Sequence, residues 1–209
     1  MGEGGVADTD AVTVGAERAS LIPPARTPDE DSSRMRSLME LVSLVQASRD
    51  YADILEVMAE ESRQALAASS LSLSVWERDR GTVRTLVNTG DLAAGVERRP
   101  GDEVYGLADH PLAVRMFTEG LGYSQVRGAP DGDPAVQRLL ESEDKLCALG
   151  VPIHLDGRVW GELWATRSEE PAFTQDDLDF ARLVAAQVGA GIAQAERLRR
   201  VERLVYSDD

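Results

Sequence analysis

The sequence predicts an α+β domain: an antiparallel sheet with helices from both ends of the chain on one face and a covering segment of loops and short helices on the other. Three observations lead to it. Two stretches, 70–89 and 146–166, alternate and double back as hairpins, helical spacing lies before the first and after the second, and the long stretch between them is rich in turn formers.

Residues 1–33 carry no aromatic residue, three of the nine prolines, and seven acids against two arginines. So little apolar surface cannot offset the entropy of ordering, which predicts a disordered acidic tail. From Ser33 a helix is expected, with Met35, Leu38, Val42 and Val45 at three-four spacing. Asp50 suits the cap of a second helix in which Ile54, Leu55, Met58, Ala65 and Leu66 share a face, ending near Ser69. Ser70–Glu77 then alternates strictly, Leu71, Leu73 and Val75 against Ser70, Ser72, Ser74 and Trp76. Arg80-Gly81 turns the chain into a return strand, Thr82–Thr89.

In the covering segment, Asp109-His110-Pro111 opens a short helix, with Asp109 placed to accept from free amides and Gly120 placed to stop it. Tyr123 sits in a brief extended piece, and a second short helix is expected over Ala135–Glu141. Leu146–Leu155, the turn Asp156-Gly157, and Arg158–Thr166 form the second hairpin. Along its return strand Val159, Gly161, Leu163 and Ala165 alternate with Trp160, Glu162 and Trp164. A last helix begins after Phe173, capped by Thr174 with Asp176 and Asp177 in its first turn, and runs to about Val205, some ~45 Å.

Several pieces in this order resemble the GAF family of sensory and regulatory modules. They are Val151-Pro152-Ile153, the run Asp156-Gly157-Arg158-Val159-Trp160-Gly161-Glu162-Leu163, Phe173-Thr174-Gln175-Asp176-Asp177, and Ala186-Gln187-Val188 leading to Ile192-Ala193. Tyr105 to Pro111 is similar to a loop of many actinobacterial GAF sensors. The resemblance covers about residues 50–198. Beyond it, Ala195 to Asp209 resembles the connecting helix and first residues that precede a GGDEF diguanylate cyclase domain, whose signature the chain lacks. This implies a cyclase as the output in the parent protein and no activity of this chain. The expected organisation is a tail over 1–33, the GAF-like sensory domain with its N-terminal helix over 34–198, and the end of a signalling helix over 199–209.

Composition narrows the function. A formal charge of −15 disfavours binding to nucleic acid or to an anionic membrane. Arg197, Arg199, Arg200 and Arg203, beside Glu196 and Glu202, read as a solvated helix face. One cysteine and two histidines predict no disulfide, no metal site and no cofactor. The absence of an 18-residue apolar run or a secretory start predicts a cytoplasmic protein. Cys147 lies among leucines as a core residue, and the methionine-sulfoxide-reducing GAF branch uses several cysteines. The cyclic-nucleotide fingerprint of another branch also fails, since Asn88 is followed by Thr89 and only two residues separate Phe173 from Asp176. No catalytic residue is predicted.

Two functional surfaces remain. Leu71, Leu73, Val75, Val159 and Leu163 give the sheet an apolar face for the helices. Ser72, Ser74, Trp76, Trp160, Glu162 and Trp164 give it a mixed face under the covering segment, closed from above by Tyr105, His110 and Tyr123, and these nine are the predicted lining of a small-molecule pocket. Met35, Leu38, Val42 and Val45 of the first helix, with Val184, Val188, Gly191, Ala195 and Leu198 of the last, are predicted to pair with their copies in a parallel homodimer. The sequence thus predicts a non-catalytic sensory module that homodimerises and relays a small-molecule signal to an output domain. The alternatives are a ligandless dimerisation scaffold, or control of another output such as a kinase or phosphatase.

Overall fold

The computed structural model describes residues 28–45 and 51–206. In chain order they form α1 (Pro28–Val45), α2 (Tyr51–Ala65), β1 (Ser70–Glu77), β2 (Thr82–Gly90), β3 (Val104–Gly106), α3 (Pro111–Glu119), β4 (Tyr123–Val126), α4 (Pro134–Ser142), β5 (Cys147–Leu155), β6 (Arg158–Arg167) and α5 (Gln175–Tyr206). The strands make one antiparallel six-stranded sheet in the order β3-β2-β1-β6-β5-β4. This is the α+β architecture that the sequence predicts.

The two predicted hairpins supply the four central strands. Asp156 (φ 48°) and Gly157 (φ 76°) take the left-handed conformations that a two-residue turn needs. The short edge strand β3 has no alternating signal of its own and forms only through pairing with the start of β2, Thr82↔Gly106 to Arg84↔Val104.

The main core fills the space between the sheet and α2 and α5. Leu71 and Leu73 from β1, Leu149, Val151 and Ile153 from β5, and Leu163 and Ala165 from β6 meet Ile54, Leu55, Met58, Ala181, Val184, Val188 and Ile192. Cys147 is fully buried in that core, and burial pushes its thiol above the usual range. Gly189 permits the close approach of α5, since a Cβ there would lie 2.3 Å from the carbonyl oxygen of His154. At the start of α5, Thr174 Oγ1 accepts from the Asp177 amide (3.2 Å) and Asp177 Oδ2 accepts from the Thr174 amide (2.9 Å), a reciprocal cap. Thr174→Ala is expected to lower the unfolding free energy by about 1 kcal/mol, read as a lower urea midpoint at unchanged slope.

Three expectations are corrected. Helix α1 begins at Pro28, inside the predicted tail, because proline suits a first turn and the acidic residues behind it match the helix dipole; residues 1–27 lie outside the described residues. Arg34 of this helix pairs with Asp177 and lies over the Phe180 ring at 4.5 Å.

The second correction concerns the predicted dimer seam. Val184, Val188, Gly191 and Ala195 are buried in the chain's own fold, and Leu38 packs on the same core. Three-four spacing marks the face that a helix buries, without saying against what. Met35 is exposed, and the side chains of Val42, Val45 and Leu198 lie outside the described residues.

The third lies in β6. Its pairing with β5 shifts by one residue, His154↔Val159 but Ile153↔Gly161, leaving Trp160 in a bulge. A bulge reverses the alternation beyond it. Val159 therefore turns to the covering segment and Trp160 to the main core, opposite to the sequence expectation.

Candidate functional site

The second face of the sheet is roofed by α3, α4 and the loops around them. Two small clusters hold the roof. One joins Val83 to Leu107, Ala113, Met116 and Phe117, with Trp76 and Val159 against it; the other joins Val136 and Leu140 to Ala148, with Leu112 and Trp164 against it. Tyr123 packs on both.

One buried carboxylate ties the roof together. Asp133, just ahead of α4, accepts from the amides of Ala135 (2.9 Å) and Val136 (3.3 Å) through Oδ1. Its Oδ2 accepts from the amide of Leu112 in the first turn of α3 (3.2 Å). One side chain thus caps two helices, the role for which an Asp before Pro134 is fitted. The expected capper of α3, Asp109, lies instead in a short 3-10 turn, and His110 occupies the cap position without a side-chain bond.

Between roof and sheet lies a cavity of about 440 Å³. Its floor is Ser70, Ser72 and Ser74 of β1, Thr85 and Asn88 of β2, and Glu162 and Trp164 of β6; Tyr105, His110, Ala113, Tyr123 and Val136 stand over it. Ser72 Oγ donates to Asn88 Oδ1 (2.6 Å), and Asn88 Nδ2 donates to Glu103 Oε2 and to the Glu97 carbonyl, both at 3.0 Å. Ser70 and Thr166 hydroxyls lie 2.6 Å apart. The polar floor is therefore fixed in place before any ligand arrives.

Glu162 is the electrostatic centre. It is 4% exposed, and its side-chain hydrogen bond among the described residues comes from Tyr105, whose hydroxyl donates to Oε1 at 2.5 Å. Burial pushes the carboxyl up to about 7, with the Tyr105 hydrogen bond pulling the other way. Burial, then the nearby Glu162 charge, drives both the Tyr105 and the Tyr123 hydroxyl well above the ordinary tyrosine value. The His110 ring lies 4.6 Å from the Tyr105 ring, and burial lowers its pKa against the pull of Asp133 and Asp109. At the rim, burial raises the Glu143 carboxyl.

Of the nine predicted lining residues, the structure brings seven together: Ser72, Ser74, Tyr105, His110, Tyr123, Glu162 and Trp164. Trp76 faces the roof but packs on Phe117, ring centroids 5.0 Å apart, with the Arg78 guanidinium over its ring at 3.9 Å. Trp160 is removed by the bulge. Sequence reasoning missed Thr85 and Asn88, because β2 slips its register beside Leu73/Ser74 and its alternation is broken. It also missed Glu103 and Glu143, which irregular segments deliver without a local pattern, and Asp133, for which the Asp-Pro pair was a readable signal.

Comparison with known proteins matches this geometry to a family. The family model described as the GAF domain matches residues 50–192. The GAF domain of a phosphoenolpyruvate-protein phosphotransferase from Coxiella burnetii superposes with a TM-score of 0.65 at 18% identity, over 81% of this chain and 98% of that one. The phycocyanobilin-bound GAF domain of a cyanobacterial phytochrome gives 0.64 at 17%, over 78% and 96%. Free methionine-R-sulfoxide reductase from Neisseria meningitidis, in complex with its substrate, gives 0.63 at 15%, over 83% and 95%. At such identities these likenesses concern the fold alone. An uncharacterized protein in the hutH 5' region of Streptomyces griseus is 49% identical over 57 residues, which is 27% of this chain and 24% of that protein. Among the described residues no helix is long and apolar enough to cross a membrane. A family match over most of the chain, on a sheet with this strand order and a roofed second face, makes the chain a member of the GAF domain family, a family of sensory and regulatory modules.

Proposed function

We propose that this chain is a non-catalytic sensor that takes a small molecule between the sheet and the α3/α4 roof and relays its presence through α5. The observation that carries this reading is the cavity itself. Its volume falls within the range of small-molecule sites, about 300–1,000 Å³, and it joins apolar walls to a few fixed polar groups. Two GAF-fold neighbours were crystallised with a small molecule, a bilin and a substrate, which accords with the same use here.

Relay requires that the ligand favour one arrangement of the helices over another, because equal affinity for both shifts nothing. The reading includes a parallel homodimer built on the outer faces of α1 and α5, where Met35 (61%), Met39 (66%) and Leu183 (56%) are exposed. The output is a diguanylate cyclase acting in cyclic-di-GMP signalling, as the resemblance of 195–209 implies. Native mass spectrometry of the purified protein tests the first part: a co-purifying small molecule supports sensing, and an empty dimer favours a scaffold. In sedimentation, the wild type is expected to run as a dimer at micromolar concentration and Met35→Glu/Met39→Glu as a monomer. A monomeric wild type would overturn the dimer.

A further inference from the structure

The cavity has a charge character that selects among ligands, and the inference drawn from it rests on the sensory reading above. Four carboxylates line it, those of Asp91, Glu103, Glu143 and Glu162, and the lining includes neither lysine nor arginine. Asp91 already faces Lys145 (3.1 Å) and Glu103 takes the Asn88 amide, but among the described residues Glu162, at the floor, receives only the tyrosine hydroxyl. A buried carboxylate without a cation is costly, and a ligand that supplies one recovers that cost on binding. At the N-termini of α3 and α4 the amides of Leu112, Ala135 and Val136, which might otherwise hold a phosphate or carboxylate, are taken by Asp133. Among the described residues no three His, Cys, Asp or Glu converge as a metal site.

We propose that the cavity binds an organic amine, its protonated nitrogen against the Glu162 carboxylate and its apolar or aromatic body against Trp164, Tyr123 and Ala113. Oε1 is taken by Tyr105, so a compact ammonium on the remaining oxygen fits better than a two-pronged guanidinium. The aromatic faces add attraction for the cation. Phosphate-bearing ligands such as cyclic nucleotides are rejected by the same field.

Calorimetry on the full chain tests this with phenethylamine and spermidine, the neutral 2-phenylethanol, and the anions 3-phenylpropionate and cyclic AMP. The expected result is binding of an amine at least tenfold tighter than of the neutral and anionic probes, weakened by about 10- to 100-fold in Glu162→Gln. Affinity in the wild type should rise about tenfold per pH unit up to about 7 and then level off, as Glu162 ionises. The other titratable groups lining the cavity with Glu162 are Tyr105 of β3 and Tyr123 of β4, both held neutral there, together with His110, Glu143, Glu103 and Asp91. A pH dependence that survives in Glu162→Gln would assign it to another group of the lining, such as His110 or Glu143, and overturn the proposal. Tighter binding of 3-phenylpropionate or cyclic AMP would overturn the charge assignment while keeping the cavity as a ligand site. No binding by any probe, with an empty protein in native mass spectrometry, would take down both.

Discussion

Glu162→Gln is expected to stabilise the protein above neutral pH by about 3 kcal/mol and by less than about 1 kcal/mol at pH 5. Folding raises the Glu162 carboxyl from an ordinary 4.5 to about 7. Below the unfolded value both states hold the proton and there is no penalty. As pH rises from there to about 7, the unfolded chain gives up its proton first, so the stability present at low pH is progressively lost. Above the folded value the loss is complete and constant. Glutamine keeps an oxygen to accept from Tyr105 and carries no charge, so the variant should show no such decline. Urea unfolding from pH 5 to pH 9 checks this, and a variant less stable than wild type at pH 8 would refute it. A carboxylate that destabilises its own fold, in a cavity wall, is the pattern expected of a binding residue.

The second large effect lies in the roof. Asp133→Ala leaves three amides without their acceptor, those of the buried Ala135 and Val136 and of the half-buried Leu112. At about 1–2 kcal/mol for each helix cap, the expected loss is about 2–4 kcal/mol. It should fall on α3 and α4 and spare the main core, which lies across the sheet. Hydrogen exchange is the suitable measurement: amides of residues 112–119 and 135–142 should exchange roughly 30- to 1,000-fold faster, those of β1, β5 and β6 little changed. Asp133→Asn, which keeps an acceptor oxygen, should fall between. Uniform acceleration across the sheet would mean that the roof does not open as a unit. In the sensory reading this joint sets how tightly the cavity closes over its ligand.

The elements most legible in the sequence are those whose signal is local. The turn at Asp156-Gly157, the cap at Thr174 and the alternation Leu71, Leu73 against Ser72, Ser74 each depend on neighbours within a few residues, and the fold places each as expected. Seven of the nine predicted lining residues follow from the alternation of β1 and β6 together with the ring-bearing residues of the covering segment. The misses share a cause. Trp160 and Val159 change sides because one bulge shifts the period, and that bulge exists only in the pairing of β6 with β5. Val184, Val188 and Ala195 carry the spacing of a helix seam, yet the sheet of their own chain covers them.

The sequence by itself determined the element order, the α+β class, the two hairpins and the apolar face, because period, turn chemistry and capping act over short stretches of chain. Only the tertiary structure decided that Asp133 joins two helices, that Glu162 lies buried with Tyr105 as its partner, and that Glu103 and Glu143 share one cavity with Glu162. Those relations join residues far apart in the chain, and their energies arise from loss of water and from charge at close range, which exist only once the sheet and its roof have come together.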